Sequence, residues 1–226
     1  MLEDNRIIAS FTDEKSSPDM HWSARFLTYT HAMCDPLLEF LLDKLENKII
    51  EKKEGYFLCK FDEILQQTVI MFYRVEYLKK TPNWKAENYF DHDFVINCVR
   101  AGYPYFAYVP NPGYIHYTVK SLGQLIYKRD RNVKMHFLPY YKKTDYTFID
   151  TGKKKDVLKL ILFVIYANLL FPATIRGIFR FFKHRDWVLL MEPIITVGVT
   201  DMLLFTFLKD EKGRKYIYDS ISSLVN

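Results

Sequence analysis

The residues best suited to chemistry lie in one stretch, Asn88 to Asn132. Two carboxylates, Asp91 and Asp93, stand at the predicted start of a short helix, where backbone N–H groups and the helix dipole favour the ionised form. An ionised carboxylate can accept a proton from a hydroxyl, so this position suits a general base. The alternative is that Asp91 only caps the helix, which is a common use of Asp.

Beyond this helix lies a candidate metal ligand, His116. It follows a segment rich in Pro and Gly, Pro110 to Gly113, that is predicted to turn the chain. Imidazole is a common ligand for divalent metals, but one histidine does not make a metal site. The alternative is a histidine held in place by hydrogen bonds.

A second helix, predicted to begin at Ser121, ends in three cations, Lys128, Arg129 and Arg131. Lys128 and Arg131 are three residues apart and share one helix face, whereas Arg129 points elsewhere. The guanidinium group matches the geometry of phosphate oxygens, so the cluster suits a phosphate group. A basic stripe facing solvent or lipid headgroups would have the same composition.

The elements that must position these residues are predicted from hydrophobic periodicity and turn residues. The acidic helix ends at Gly102, and Tyr105 to Val109 has the composition of a strand. Further strands are predicted at Arg6–Phe11, Gly55–Phe61 and Val69–Arg74, further helices at Asp35–Asn47, Asp62–Gln67 and Arg74–Lys80, and a short terminal helix or tail at Gly213–Val225. This mixture predicts an α/β fold.

The order of these pieces resembles the carboxy-terminal half of the catalytic domain of family 2 glycosyltransferases, which have the A-type nucleotide-sugar transferase fold. In that family an acidic motif, a helix ending in Ala-Gly-Tyr, a strand ending in Val-Pro, a histidine and a basic helix follow one another. The matching pieces are Asp91-His92-Asp93, Ala101-Gly102-Tyr103, Val109-Pro110, Tyr114-Ile115-His116 and Lys128-Arg129-Asp130-Arg131-Asn132. On this resemblance, residues 1–140 form a partial, acceptor-side transferase domain.

The resemblance implies transfer of a sugar from a nucleotide-sugar donor to a lipid-linked or polysaccharide acceptor, in envelope-glycan synthesis and with inversion. Asp91 takes the position of the base that deprotonates the acceptor hydroxyl, and Asp93 lies beside it in the motif. Trp84 would line the acceptor site, because the C–H face of a sugar packs on an aromatic ring.

The same resemblance implies that Lys128, Arg129 and Arg131 support the leaving diphosphate. It also implies that His116 lies beside a divalent metal, Mg²⁺ or Mn²⁺. In the family, the strand that matches Arg6–Phe11 follows a nucleotide-binding half with an Asp-x-Asp metal motif, and neither precedes it here. Most metal ligands are therefore expected outside this chain, and a polypeptide carrying the amino-terminal half is an expected partner. The rival prediction is a non-catalytic, membrane-bound interaction protein.

Composition limits the class of protein. Of the 226 residues, 26% are charged and 49% hydrophobic, which excludes a disordered chain. Residues 120–185 hold fifteen basic and four acidic residues, a balance that predicts attraction to anionic lipid headgroups. No nucleic-acid-binding motif accompanies the charge, so nucleic acid is not an expected partner. Cys34, Cys59 and Cys98 are predicted to be buried, reduced thiols.

The last third of the chain is apolar. After a basic, aromatic linker at 141–156, two apolar segments, Val157–Ile175 and Trp187–Leu208, lie within a predicted membrane-associated region, 157–226. Each is long enough to cross a bilayer, but basic residues flank both ends of the first, which also fits in-plane or re-entrant helices. Two buried helices of a soluble domain are the alternative. We expect a membrane-associated protein with its catalytic part in the cytoplasm.

Overall fold

The computed structural model describes residues 4–30, 34–62, 71–81, 91–139 and 153–225. Within these ranges one sheet is formed by β1 (Ala9–Glu14), β2 (Ile49–Lys53), β3 (Tyr56–Lys60), β4 (Met71–Tyr73) and β5 (Tyr105–Tyr114). The strand order is β2-β3-β5-β1-β4. β1 and β5 are parallel, and the other neighbouring pairs are antiparallel. This sheet and the helices around it confirm the predicted α/β class.

β1 lies inside the sheet because the chain around it is apolar on both faces. The apolar residues from Ile7 to Phe11 are almost fully buried, as is typical of a strand covered on both sides. The strand predicted at Arg6–Phe11 is therefore confirmed, with its bounds shifted toward the carboxyl end. The predicted strand Gly55–Phe61 is confirmed as β3, and the described part of Val69–Arg74 forms β4.

β2 is not among the predicted strands. It pairs with β3 through a two-residue turn in which Gly55 has a φ of +80°, a conformation that glycine adopts without strain. Most of β2 is exposed or half-buried, so its sequence lacks the apolar alternation that indicates a strand. The pairing with β3 determines its structure.

The Pro/Gly segment does not end β5, contrary to the turn predicted there. Thr12 lies opposite Val109, and the next paired residues are Glu14 and Tyr114. Residues 110–113 therefore form a bulge opposite the single residue 13. The ladder resumes beyond it, where the Lys15 backbone N–H donates to the carbonyl oxygen of Tyr114 at 2.7 Å.

The first part of the chain has four helices among the described residues: α1 (Trp22–Leu27), α2 (Pro36–Leu41), α3 (Val75–Leu78) and α4 (Asp91–Arg100). Asp35 caps α2 as predicted, accepting from the Leu38 N–H at 3.0 Å. That helix was expected to reach Asn47 but ends at Leu41, because the backbone is extended at Leu42. The predicted helix at 74–80 is confirmed as α3, and the one at 62–67 lies largely outside the described residues.

α4, the helix predicted to start at the two carboxylates, packs its apolar side on the sheet. Phe94, Ile96 and Cys98 belong to one buried cluster with β1 and β5 residues such as Phe11 and Phe106. The three cysteines of the chain are buried and free, as predicted. Burial raises the pKa of the Cys59 thiol to about 12, so it remains protonated at neutral pH.

The rest of the described chain is helical. It comprises α5 (Leu122–Asn132), α6 (Lys154–Asn168), α7 (Phe171–His184), α8 (Glu192–Lys209) and α9 (Glu211–Val225). α5 begins at Ser121 as predicted, with Ser121 Oγ accepting from the Gln124 N–H at 3.0 Å. The terminal helix predicted at Gly213–Val225 is confirmed as α9. A second buried cluster lies between α1, α5, the short turn Trp187–Met191 and α8.

The first apolar segment, Val157–Ile175, is two helices. α6 and α7 meet at 80°, and the break precedes Pro172 in the first turn of α7, where proline begins a helix readily. Among the described residues, one helix is long and apolar enough to cross a membrane: α8 together with the short turn before it, Trp187–Lys209. α6 and α7 meet that criterion only when they are taken together as a bent pair. α8 packs against α2, α5, α6, α7 and α9, so protein covers part of its surface, and 39% of its most apolar window is buried.

Buried ion pairs join the helical part to α1 and α2. Asp186 receives two hydrogen bonds from Arg25, at 2.7 and 2.6 Å, and one from the Tyr29 hydroxyl at 2.7 Å. Glu192, fully buried at the start of α8, pairs with Arg176 at 2.8 Å and Arg180 at 3.0 Å. These two arginines belong to α7, so part of the basic charge that favoured a headgroup contact is neutralised inside the protein.

The pairs extend to the first half of the chain through α7. Arg176 also contacts Glu39 on α2 at 2.7 Å, and Arg180 donates to the carbonyl oxygen of Tyr29 at 2.8 Å. Each guanidinium thus connects Glu192 to the region around α1 and α2. The predicted transferase part and the predicted membrane-associated part therefore share a polar interface.

We predict that Gly177→Ala destabilises the protein. A Cβ at Gly177 would lie 2.6 Å from the backbone oxygen of Leu189, so α7 would have to move away from the turn Trp187–Met191. We expect the free energy of unfolding, measured by chemical denaturation, to fall by about 1–3 kcal/mol. The matched control is Gly123→Ala on α5, where the nearest atom is 3.9 Å away; it should be neutral or stabilising. Equal losses in both variants would contradict this packing.

We also predict a pH-dependent effect of Asp186→Asn. Partial burial raises the pKa of this carboxyl, but the hydrogen bonds from Arg25 and Tyr29 outweigh it, and the net pKa is lowered. A lowered pKa contributes stability above the unfolded-state value that is lost as pH falls through the folded-state value. Asp186→Asn should therefore cost about 1–3 kcal/mol at pH 7, and less below about pH 3.9.

The control for that comparison is Asp201→Asn, at an exposed position of α8, which should leave the free energy of unfolding nearly unchanged at both pH values. A loss from Asp186→Asn that stays constant from pH 7 to pH 3 would show that the ionised carboxylate is not what holds this contact.

Candidate functional site

The parallel pairing of β1 and β5 places the ends of both strands at one edge of the sheet. Glu14 and Tyr114, opposite each other in the ladder, are joined there by a 2.7 Å hydrogen bond from the tyrosine hydroxyl. His116, two residues beyond β5, contacts the same carboxylate oxygen through Nδ1 at 3.0 Å. The side chain of Glu14 is 3% exposed, whereas that of His116 is partly open to solvent.

A second carboxylate lies beside Glu14. Asp13 accepts a hydrogen bond from the hydroxyl of Tyr108 on β5. Burial and this bond together raise the pKa of Tyr108, so the phenol stays protonated and acts as a donor. We call Asp13, Glu14, Tyr108, Tyr114 and His116 the strand-end cluster. Of these, only His116 was predicted from the sequence.

Burial is the largest influence on Glu14 and raises its pKa, while the hydrogen bonds from Tyr114 and His116 oppose that rise. The second carboxylate oxygen of Glu14 is buried and has no hydrogen-bond partner among the described residues. A buried carboxylate with one oxygen unsatisfied is costly. Such a group is found more often at functional sites than elsewhere, which makes the cluster a site candidate.

The start of α4 lies toward the same edge. α4 packs on the sheet, and the chain reverses after it, with the Tyr103 N–H donating to the carbonyl oxygen of Cys98 at 2.9 Å. β5 therefore runs back along α4. A ten-residue helix is about 15 Å long, which matches about 13 Å for Tyr105 to Val109 in β5. By this match the first turn of α4, Asp91 to Asp93, is expected at the level of Val109, before the bulge and short of Tyr114, where β5 ends. The side chains of that turn lie outside the described residues.

The structure supports the hydrogen-bonded alternative for His116, because Glu14 occupies its Nδ1. Its Nε2 has no partner among the described residues. The described ranges contain no group of three or more side chains that could hold a metal ion. Glu14 and His116 alone do not complete such a site, so the expected Mg²⁺ or Mn²⁺ would need further ligands. No chemical step is therefore assigned to a metal here.

The three cations of α5 have different surroundings. Lys128 Nζ donates to the carbonyl oxygen of Thr118 at 2.6 Å, which holds the segment just after His116. Arg129 contacts Asp35 on α2 at 3.4 Å, on another side of the helix, as predicted. Arg131 is exposed and has no ion-pair partner in the described part of the chain. To bind a diphosphate, Lys128 and Arg129 would have to share or break these contacts. Arg131 could bind one without breaking any contact described for it.

The predicted site residues are thus brought together in part. His116 and the first turn of α4 lie toward one sheet edge, and Lys128 is attached to the chain beside His116. Arg131 is ten residues beyond Ser121, about 15 Å further along α5, and no contact among the described residues connects it to the strand-end cluster. Trp84 lies outside the described residues, and its role stays a prediction.

The buried carboxylate generates a prediction about stability and pH. Since its pKa is raised in the folded state, Glu14 contributes stability below its unfolded-state pKa that is lost as pH rises through the folded-state value. Glu14→Gln keeps an acceptor for Tyr114 but carries no charge. We expect the free energy of unfolding of Glu14→Gln, relative to the unsubstituted protein, to rise between pH 4 and pH 7 in denaturation experiments.

The matched control is Glu54→Gln, in the exposed turn between β2 and β3, which should show no such rise. A relative stability of Glu14→Gln that falls toward pH 7 would mean that the ionised carboxylate is favoured in the folded state, against the direction inferred from its burial.

No protein-family model, curated protein or solved structure matches this chain. What the strand-end cluster and the first turn of α4 do is therefore inferred from their own residues. Their arrangement can hold a polar substrate against a sheet edge that offers tyrosine hydroxyl oxygens as acceptors, a buried carboxylate and a partly exposed imidazole. It can also present the acidic start of a helix to that substrate.

Proposed function

We propose that this chain is the acceptor-side part of a family 2 glycosyltransferase that works at a membrane, with its catalytic part in the cytoplasm. It would transfer a sugar from a nucleotide-sugar donor to a lipid-linked or polysaccharide acceptor. The main support is the run of motifs from Asp91 to Asn132, combined with a chain path that brings the acidic start of α4 toward the edge where His116 lies.

In this proposal Asp91 is the general base. Its carboxylate takes the proton of the acceptor hydroxyl as the hydroxyl oxygen forms a bond to the anomeric carbon of the donor sugar. The bond between that carbon and the diphosphate oxygen breaks, and the diphosphate leaves with the bonding electrons. Attack from the face opposite the leaving group inverts the anomeric centre. The positive end of the helix dipole at α4 favours the ionised base before the reaction.

The leaving diphosphate needs positive charge. Arg131 is exposed on α5 and suits this role by residue type, because its planar fork of donors matches phosphate oxygens. Lys128 supports the same region indirectly by holding Thr118. The nucleotide would be bound largely by a polypeptide corresponding to the amino-terminal half of such enzymes, which is the expected partner.

A rival function is favoured by one observation. Lys128 and Arg129, two of the three cations assigned to the diphosphate, already have partners inside the fold. That is the arrangement expected of a non-catalytic interaction protein that retains the transferase architecture. Binding of nucleotide sugars separates the two functions, because the rival has no use for a donor.

We predict that Asp91→Asn lowers the rate of sugar transfer by about 100-fold or more, the range typical of losing a general base. The measurement is incorporation of labelled sugar from a panel of nucleotide sugars into lipid, in membranes that contain the chain and its native partners. Donor binding should be unchanged, since the amide keeps the size of the carboxylate. Asp93→Asn, two residues away in the same helical turn, is the matched control and should lose much less.

Unchanged transfer by Asp91→Asn would remove the base from the proposal. Absence of both donor binding and turnover in membranes that hold the unsubstituted chain would favour the interaction protein.

A further inference from the structure

The outer sides of α6 and α7 carry two exposed apolar stripes. On α6 the stripe consists of Leu158, Leu162, Ile165 and Leu169, and on α7 of Phe171, Ile175, Phe179 and Phe182. The spacing of three or four residues places each set on one helix face. Phe171 and Phe179 are 70% and 71% exposed, which is unusual for phenylalanine in a protein surrounded by water.

The opposite faces of both helices are covered by protein. Val157, Phe163 and Ala167 of α6 and Ala173 and Gly177 of α7 are buried, and both helices contact α8. The exposed stripes therefore have no partner within the described chain. They are joined through Leu169, Leu170 and Phe171, all exposed at the break between the helices, so the apolar surface is continuous along the chain.

Cations border this surface at both ends. Lys153, Lys154 and Lys155 precede or begin α6, and Lys183 and Arg185 end α7, all of them exposed. Residues 153–185 contain one acidic residue, Asp156. Apolar side chains bordered by Lys and Arg match a layer of hydrocarbon beneath anionic headgroups. A protein partner would have to combine the same two features over two helices.

The dimensions favour helices in the membrane plane. α6 has 15 residues and α7 has 14, so each is about 21–23 Å long, shorter than the roughly 30 Å of a bilayer core. Arg176 and Arg180 point inward and pair with Glu192, so the core-facing side of α7 is charged. Because basic residues lie at both ends of the pair, an in-plane position keeps all of them on one side of the membrane.

We propose that the outer face of α6 and α7 lies in the interface of an anionic bilayer, with both helices parallel to the membrane and α8 held above them within the protein. This lipid contact does not depend on sugar transfer, since vesicle binding involves no chemical step. A failure of vesicle binding would not contradict the proposed sugar transfer, and a failure of sugar transfer would not contradict the lipid contact.

The test is flotation of the full chain with vesicles of phosphatidylcholine alone or with about one third phosphatidylglycerol. We expect binding mainly to the anionic vesicles, weakened by salt. The double variant Phe179→Glu/Phe182→Glu should lower the bound fraction at least tenfold, and Lys183→Glu/Arg185→Glu should remove the preference for anionic lipid. The matched control is Phe72→Glu on β4, a phenylalanine of 62% exposure away from this surface, which should bind like the unsubstituted chain.

Spin labels at Leu158, Leu169 and Phe179 distinguish the modes of insertion. In-plane helices predict similar, shallow depths for all three, within about 10 Å of the headgroups. A label at Leu169 much deeper than the other two would mean a re-entrant pair and would overturn the in-plane arrangement. Full binding by the double phenylalanine variant would overturn the assignment of the surface. The assignment would also be overturned if the chain did not bind vesicles and light scattering showed a dimer that the double phenylalanine variant dissociates.

Discussion

The structure depends on burying charge in pairs between its two halves. Glu192 has no exposure at all, and such a carboxylate is tolerated only because Arg176 and Arg180 lie against it, with the start of α8 adding the favourable end of a helix dipole. Both arginines belong to α7 and both also reach the first half of the chain. Removing either arginine would leave Glu192 buried with one cation instead of two. A buried ion pair need not add net stability, because desolvation offsets the attraction between the charges, and we infer that these pairs fix how α7 and α8 meet α1 and α2.

That arrangement determines where the candidate site can be. α5 packs between α1 and α8, and Lys128 on α5 holds the segment that follows His116. The position of His116 is therefore controlled from two sides, by Glu14 in the sheet and by the helical part through Lys128. A site at the sheet edge and a membrane-facing surface on α6 and α7 would belong to one framework. Such a framework suits an enzyme whose acceptor is lipid-linked, because the acceptor and the lipid-facing surface of the protein would then lie at the same membrane.

Local features of the fold could be predicted from sequence, and pairings between distant residues could not. A stop signal at Gly102 defined the end of α4, a cap at Ser121 defined the start of α5, and apolar runs defined β1, β3 and the start of β5. The contact of Glu14 with His116 depends on parallel pairing of strands about a hundred residues apart, which no local pattern shows. The same holds for the pairing of Glu192 with Arg176 and Arg180, which belong to another helix. Residues 110–113 were misleading for a physical reason: Pro and Gly usually end a strand, but here β1 pairs with β5 again beyond the bulge. The roles of Asp91, Trp84 and Arg131 stay predictions.

The central claim is that the acidic start of α4 shares an edge of the sheet with His116. Distances between pairs of spin labels, measured by double electron–electron resonance, test it directly. The distance between labels at residues 91 and 116 should be roughly 10 Å shorter than the distance between labels at residues 100 and 116. The reason is that nine residues of helix separate positions 91 and 100. Equal distances, or a shorter distance from residue 100, would place the candidate base at the opposite edge and contradict the account.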